Sequence, residues 1–128
     1  EAITEEEKAD EDSKIGDAFT IAEFVMGVNE TTEADLPETV LAWDLVRAVN
    51  MARWAFICGY INEDEMWEAI RTTAGIAKES FNSWEEYGNS FAVGRGIWRG
   101  ETDDYETADE VVGALLNKED SPWKAIEW

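Results

Sequence analysis

Three helix-start motifs follow one another along the middle of the chain, and they constrain its fold more than any other feature. The stretches DLPE at 35–38, NEDE at 62–65 and SWEE at 83–86 each place an Asp, Asn or Ser three residues before a Glu. In such a capping box the first side chain accepts a hydrogen bond from the backbone of the first turn, and the Glu bonds back to the cap. The motifs predict a helix of about 22 residues ending at Gly59, a second through about Lys78 and a third through about Arg99.

The rest of the chain also favours helices. The connections at 60–62 and 80–82 are short, which makes neighbouring helices antiparallel. Thr4 with Glu7 can begin a helix in the acidic opening. Apolar residues at helical spacing predict one helix before Gly27 and a last one ending near Asn117: Ile15, Phe19, Ala22 and Met26 in the first, Val111, Val112, Leu115 and Leu116 in the second. No stretch has the two-residue alternation of a half-buried strand, so we expect an all-α fold, a compact bundle of about five helices with no sheet.

Charge divides the chain into parts. Among its 128 residues, 30 acids against 10 bases give a formal net charge of -20. Residues 1–38 carry 13 acids and 2 bases, residues 39–99 carry 8 and 6, and residues 100–128 carry 9 and 2. This distribution predicts an acidic, helical N-terminal arm over 1–38 and a helical domain over 39–128 that contains an acidic segment at 100–120.

Composition excludes several classes of function. The net charge repels nucleic acid phosphates and anionic membranes, so we expect neither direct nucleic acid binding nor membrane binding. The chain has no His and one Cys, Cys58, which removes the usual general base, the common zinc sites and any intramolecular disulfide. We therefore expect no catalytic residue, no cofactor, no metal and a reducing compartment, and no apolar run approaches the length of a membrane span.

One constellation stands out within the near-neutral middle. The helical spacing in the first predicted helix places Trp43, Arg47, Asn50 and Trp54 along one face, and the third helix places Arg95 among aromatic residues. The candidate polar network or anion pocket comprises Asp44, Arg47, Asn50, Arg53, Glu65 and Arg95.

Two interpretations of this constellation remain open. In the first, the Arg side chains pair with Asp44, Glu65 or Glu68 and stack on Trp, which fixes the register of the helices. The substitutions Arg47→Ala, Asp44→Ala and Arg95→Ala would then each lower the stability strongly. In the second, two or three Arg hold a carboxylate or phosphate ligand.

Several of these segments together resemble a known family. They are residues 42–54, 59–61, 65–67, 81–88, 94–98 and 121–128, which begin with AWDLVRAVNMARW and end with SPWKAIEW. In order and spacing they resemble the bacterial family of domains of unknown function numbered 1266, over about residues 40–99 and the last eight residues. We expect the opening through Gly27 to depart from the family's usual N-terminal part. The resemblance implies a cytoplasmic bacterial protein with an α-helical fold and implies no known activity.

These observations rank the functions. The first hypothesis is a non-enzymatic acidic binding protein, in particular an immunity-type inhibitor that sequesters a basic bacterial toxin or enzyme. The alternatives are a sensor or enzyme that binds a small anion through its Arg pocket, and a nucleic acid mimic. The candidate interface combines the acidic opening with the two Trp at the chain end: Glu5, Glu6, Glu7, Asp10, Glu11, Asp12, Trp123 and Trp128. Chain-end Trp residues are the least needed for a central core, although the resemblance implies that both can fold back onto it.

Overall fold

The computed structural model describes residues 2–10 and 13–128, and over these residues the chain forms α-helices and one 3₁₀ turn with no β-strand. The expected all-α fold is confirmed. Five helices have 16 to 18 residues, and a four-residue helix lies near each end. Residues 30–40 join the first two long helices, and the later connections are short. The helices are α1 Glu5–Lys8, α2 Lys14–Asn29, α3 Leu41–Ile57, α4 Glu63–Ser80, α5 Trp84–Arg99, α6 Thr102–Asn117 and α7 Pro122–Ala125.

Most of the local helix signals are confirmed. Asn62 begins α4 with a complete capping box, in which its side chain accepts from the Glu65 backbone N–H at 2.9 Å. Ser83 begins α5 by accepting from the Glu86 N–H at 3.1 Å. Gly59 follows the end of α3 with a φ of 81°, which glycine adopts without strain.

The prediction that the first long helix begins at Asp35 is wrong, because α3 begins at Leu41. Leu36 precedes a proline and takes an extended conformation with ψ at 148°, since the proline ring disfavours helical backbone at the residue before it. The Asp35 carboxylate instead accepts from the backbone N–H and the hydroxyl of Thr32, both at 2.9 Å, and so caps the 3₁₀ turn Glu33–Asp35.

Helix α5 lies at the centre of the bundle and packs against α2, α3 and α6. Its inward positions are small and buried, which lets three neighbouring helices approach its backbone: Gly88, Ser90, Ala92, Gly94 and Gly96. Gly88 faces Val112 of α6, and Gly94 faces Trp43 of α3. Ala42 contacts Ser90 and, further along both helices, Arg47 contacts Trp98, so α3 runs parallel to α5. Helices α2 and α6 run antiparallel to α5.

The core joins these helices in two clusters. The larger contains Ile21 and Val25 of α2 with Val93 of α5 and Tyr105 of α6, and the smaller centres on Leu45 and Phe81. Helix α2 therefore packs in the core although it lies within the segment assigned to an acidic arm. The predicted helix is present and continues past Gly27 to Asn29. Of the four apolar residues whose spacing predicted it, Ile15 is exposed, whereas Ile21, outside that set, is fully buried. The reason is that apolar residues surround most of α2, so its spacing alone does not select one side.

The α3–α4 hairpin extends beyond the centre of the bundle. Arg47 lies against Trp98, one residue before the end of α5, and α3 continues for ten more residues to Ile57. The chain then turns through Gly59, where the N–H groups of Gly59 and Tyr60 donate to the carbonyls of Phe56 and Ala55. These bonds satisfy the last carbonyls of α3 and hold the turn in one geometry.

Candidate functional site

Trp43 is the centre of the polar constellation. Its ring lies 5.3 Å from the Arg95 guanidinium and 5.7 Å from that of Arg47, and it contacts Phe91 at a centroid distance of 5.5 Å. The Arg47 guanidinium also lies 4.5 Å from the Trp98 ring. Stacking of a guanidinium on an aromatic face is favourable and holds the planar group in place. The structure therefore brings Arg47 and Arg95 together around one indole.

The acidic partner of this cluster is Asp104, in the first turn of α6. Its Oδ1 lies 2.7 Å from a terminal guanidinium nitrogen of Arg95, and its Oδ2 lies 3.4 Å from Nε of Arg99. The sequence interpretation offered Asp44, Glu65 or Glu68 as partners and missed Asp104. The sequence held a signal for this pairing in Gly100. This glycine ends α5 in a left-handed conformation, and the first turn of the next helix then returns beside the last turn of α5.

The other predicted members of the constellation make no polar side-chain contact with Arg47 or Arg95 among the described residues. Asp44 and Arg53 are exposed and Asn50 is half-buried, and none of the three makes a side-chain hydrogen bond or ion pair within residues 2–10 and 13–128. The Glu65 carboxylate accepts from the Asn62 backbone N–H at 2.8 Å, which occupies it in the cap of α4. None of these four residues lines the open cavity that lies beside Trp43 and Arg95.

An open cavity of about 390 Å³ lies beside Trp43, between α5 and α6. It is lined by Trp43, Phe91, Arg95, Asp103, Asp104, Thr107, Ala108 and Val111. One guanidinium and two carboxylates leave this lining with a formal charge of -1, and Asp104 already pairs with Arg95. The charge balance disfavours an anionic ligand.

The chain-end Trp residues pack into the fold. Trp123 stacks on Trp84 at 4.8 Å with an interplanar angle of 16°, and the Trp128 ring meets Tyr87 at 5.6 Å. The Trp128 indole N–H donates to the Phe81 carbonyl at 2.9 Å. Burial in this cluster raises the pKa of Tyr87 above its ordinary value. Both Trp residues are half-buried and hold the last segment onto α4 and α5.

The acidic opening begins with an ordered turn. Thr4 and Glu7 form the predicted capping box of α1, and the hydrogen bonds from Thr4 lower the pKa of the Glu7 carboxyl. Glu5 pairs with Lys8 at 2.9 Å, and the Lys8 ammonium lies 5.1 Å from the ring of Phe19 in α2. The side chains of Glu6 and Asp10 are exposed, while Glu11 and Asp12 lie outside the described residues.

Few of the acids are neutralised by the protein's own bases. Leaving Asp10 aside, the acids within residues 2–10 and 13–128 that lie within 4.0 Å of a Lys or Arg nitrogen are Glu5, Asp17 and Asp104. The excess negative charge is therefore carried by a surface that keeps most of its carboxylates free of internal cations.

The family comparison identifies the chain. A family model described as "Protein of unknown function (DUF1266)" matches residues 1–128. The chain belongs to this family. The match includes the opening through Gly27, so the expectation that this part departs from the family is wrong. No curated protein and no solved structure matches this DUF1266 chain.

No helix in the part of the chain that the structure describes combines the length and the apolar character that crossing a bilayer requires.

Proposed function

We propose that this DUF1266 protein is a non-enzymatic binding protein that captures a basic protein partner, in the manner of an immunity-type inhibitor of a bacterial toxin or enzyme. The observation that carries the proposal is the acidic surface, because, with Asp10 left aside, only Glu5, Asp17 and Asp104 among the acids that the structure describes pair with the protein's own bases. We place the protein in the bacterial cytoplasm, where the exposed thiol of Cys58 stays reduced.

A charge of this size acts mainly on encounter. A net charge of -20 attracts a cationic protein over distances near the screening length, about 8 Å at 0.15 M ionic strength. Such steering raises the association rate and contributes less to the lifetime of the complex. The proposed role therefore needs a second element that holds the partner after contact.

The geometry gives less support to the alternatives. An anion sensor needs cationic groups free to receive the ligand in the cavity, whereas Arg95 is already paired with Asp104 and neither Arg47 nor Arg53 lines the cavity. A nucleic acid mimic also captures a basic protein, and the two differ in whether DNA or RNA competes for the same partner.

The test begins with the wild-type protein immobilised and exposed to a lysate of the source organism. We expect a stoichiometric basic protein to be retained at 0.15 M salt and released at about 1 M, where the screening length is near 3 Å. If no basic protein is retained, the proposal is wrong. If nucleic acid displaces the retained protein, this protein is a nucleic acid mimic.

The charge dependence is then measured by stopped flow with the captured partner. One variant replaces six acids of the opening by Gln or Asn: Glu5, Glu6, Glu7, Asp10, Glu11 and Asp12. A matched control replaces six acids of the opposite end of the chain: Glu101, Asp103, Glu106, Glu110, Glu119 and Asp120. We expect the association rate to fall and the dissociation rate to stay unchanged. The variant with the larger fall in association rate shows on which side the partner approaches. Unchanged association for both variants at low salt would contradict steering.

A further inference from the structure

The end of the α3–α4 hairpin carries a large apolar surface that the fold leaves uncovered. We call this surface the hairpin tip and define it by Met51, Trp54, Ile57, Tyr60 and Trp67. The exposed fractions are 61% for Trp54, 74% for Ile57 and 84% for Tyr60. Contiguous exposed apolar surface that includes aromatic rings is uncommon on monomers and marks interaction sites.

The tip projects beyond the end of α5 and is supported from beneath. It lies on the ten residues of α3 that continue beyond the level of Trp98, on the turn at Gly59 and on the first turns of α4. Beneath it, Ala52 and Met66 are buried, and the turn is closed by the hydrogen bonds to Phe56 and Ala55. A rigid projection loses little conformational entropy when it binds.

The apolar tip is bordered by negative charge. Glu63, Asp64, Glu65 and Glu68 are exposed on the first turns of α4, and Arg53 is the one base between residues 50 and 68. The local formal charge is therefore -3. A second copy of this chain would bring a like-charged tip and a further net charge of -20. Charge therefore opposes self-association of the tip and complements a basic partner.

We infer that the hairpin tip is the anchor of the complex and inserts into an apolar cleft, rimmed by Lys or Arg, on a basic protein partner. This inference rests on the proposed function and names the surface that it uses. A projecting hairpin fits a concave counterpart, and the apolar centre with an acidic border matches an apolar cleft with a basic border. Trp and Tyr are the residues that most often dominate binding energy when they fill a pocket.

The tip variant changes apolar surface without changing charge. Trp54→Ser with Tyr60→Ser removes two anchors from exposed positions, so folding and electrostatic steering are preserved. The matched control, Val28→Ser with Val111→Ser, alters two exposed apolar residues on α2 and α6. Thermal unfolding of all three proteins verifies that the melting temperatures agree.

The experiment measures surface plasmon resonance with the basic protein that the wild-type chain captures. We expect the tip variant to dissociate at least about tenfold faster, with an unchanged association rate and an unchanged salt slope, and the control to match the wild type. A benzoyl-phenylalanine in place of Tyr60 should crosslink to that partner under light.

The outcomes separate this inference from the proposed function. If the basic partner binds the wild type and the tip variant equally, the function stands and the tip is not its anchor. If no basic partner is captured, both are wrong. If sedimentation shows a wild-type dimer that the tip variant abolishes, the tip is covered by a second copy and the inference is overturned.

Discussion

Gly94 of α5 lies so close to α3 that a Cβ atom on it would come within 2.5 Å of the Trp43 Cβ. Val40 adds a Cβ atom and a carbonyl oxygen at 3.2 Å from the same point. These are short, stiff parts of the neighbouring segment, so they cannot move aside as the end of a long side chain can. The contact sets the separation of α3 and α5 and places the Trp43 ring over Arg95 and Phe91.

Gly94→Ala is therefore expected to lower the free energy of unfolding by about 1–3 kcal/mol, because overpacking outweighs the gain in helix propensity. Gly75→Ala is the matched control, since nothing lies within 4 Å of the added Cβ in α4. That change should raise the stability by about 0.5–1 kcal/mol. Urea unfolding measures both, and a Gly94→Ala protein as stable as the control would contradict the close contact.

Asp104 and Asp44 test which carboxylate belongs to the Arg cluster. Asp104→Asn removes the charge that Arg95 and Arg99 share, and we expect a loss of about 1 kcal/mol because the pair is partly exposed. Asp44→Asn alters an exposed side chain and should stay within about 0.5 kcal/mol of the wild type. Chemical unfolding at low ionic strength compares them. Equal losses would restore the strong, shared role that the sequence suggested for Asp44.

Asp109 predicts a pH dependence. Burial, followed by the nearby charge of Glu110, raises the pKa of its carboxyl above the ordinary value. The folded state thus holds this proton more tightly than the unfolded state, so ionisation costs stability as the pH rises through and above about 3.9. Asp109→Asn should be more stable than the wild type at pH 7, and the difference should vanish below about pH 3. Calorimetry at both pH values measures the difference in stability between the two proteins. A gain in the stability of Asp109→Asn that persists in acid would not come from the raised pKa of Asp109.

Trp128 is expected to stabilise the closure of the chain end. Trp128→Ala removes the hydrogen bond to the Phe81 carbonyl and the ring contacts with Tyr87 and Trp84. Because the side chain is half-buried, we expect a loss of about 2 kcal/mol, below the cost for a fully buried Trp. Trp54→Ala, at an exposed position, should change stability by no more than about 0.5 kcal/mol. Guanidinium unfolding of the two variants makes the comparison, and similar values would contradict the packed chain end.

Local motifs in the sequence predicted where several helices begin and end. Asn62 and Ser83 begin α4 and α5, and Gly59 follows α3, because these positions depend on hydrogen bonds within about four residues of the chain. The start of α3 could not be predicted from the box at 35–38. Pro37 restricts the backbone of Leu36 to an extended conformation, and the Asp35 carboxylate bonds to Thr32 instead of capping a helix at 35–38.

What the sequence by itself determined is the all-α class, these helix limits and the presence of Arg among aromatic residues. Tertiary packing decided which groups meet: Arg95 pairs with Asp104 because α6 returns antiparallel along α5, and Trp128 packs on Tyr87 because the last segment folds back. It also decided that Trp54 and Tyr60 stay exposed. Hydrogen bonds at helix ends are encoded within one turn, whereas burial and ion pairing depend on how distant segments approach, which here depends on the small residues of α5.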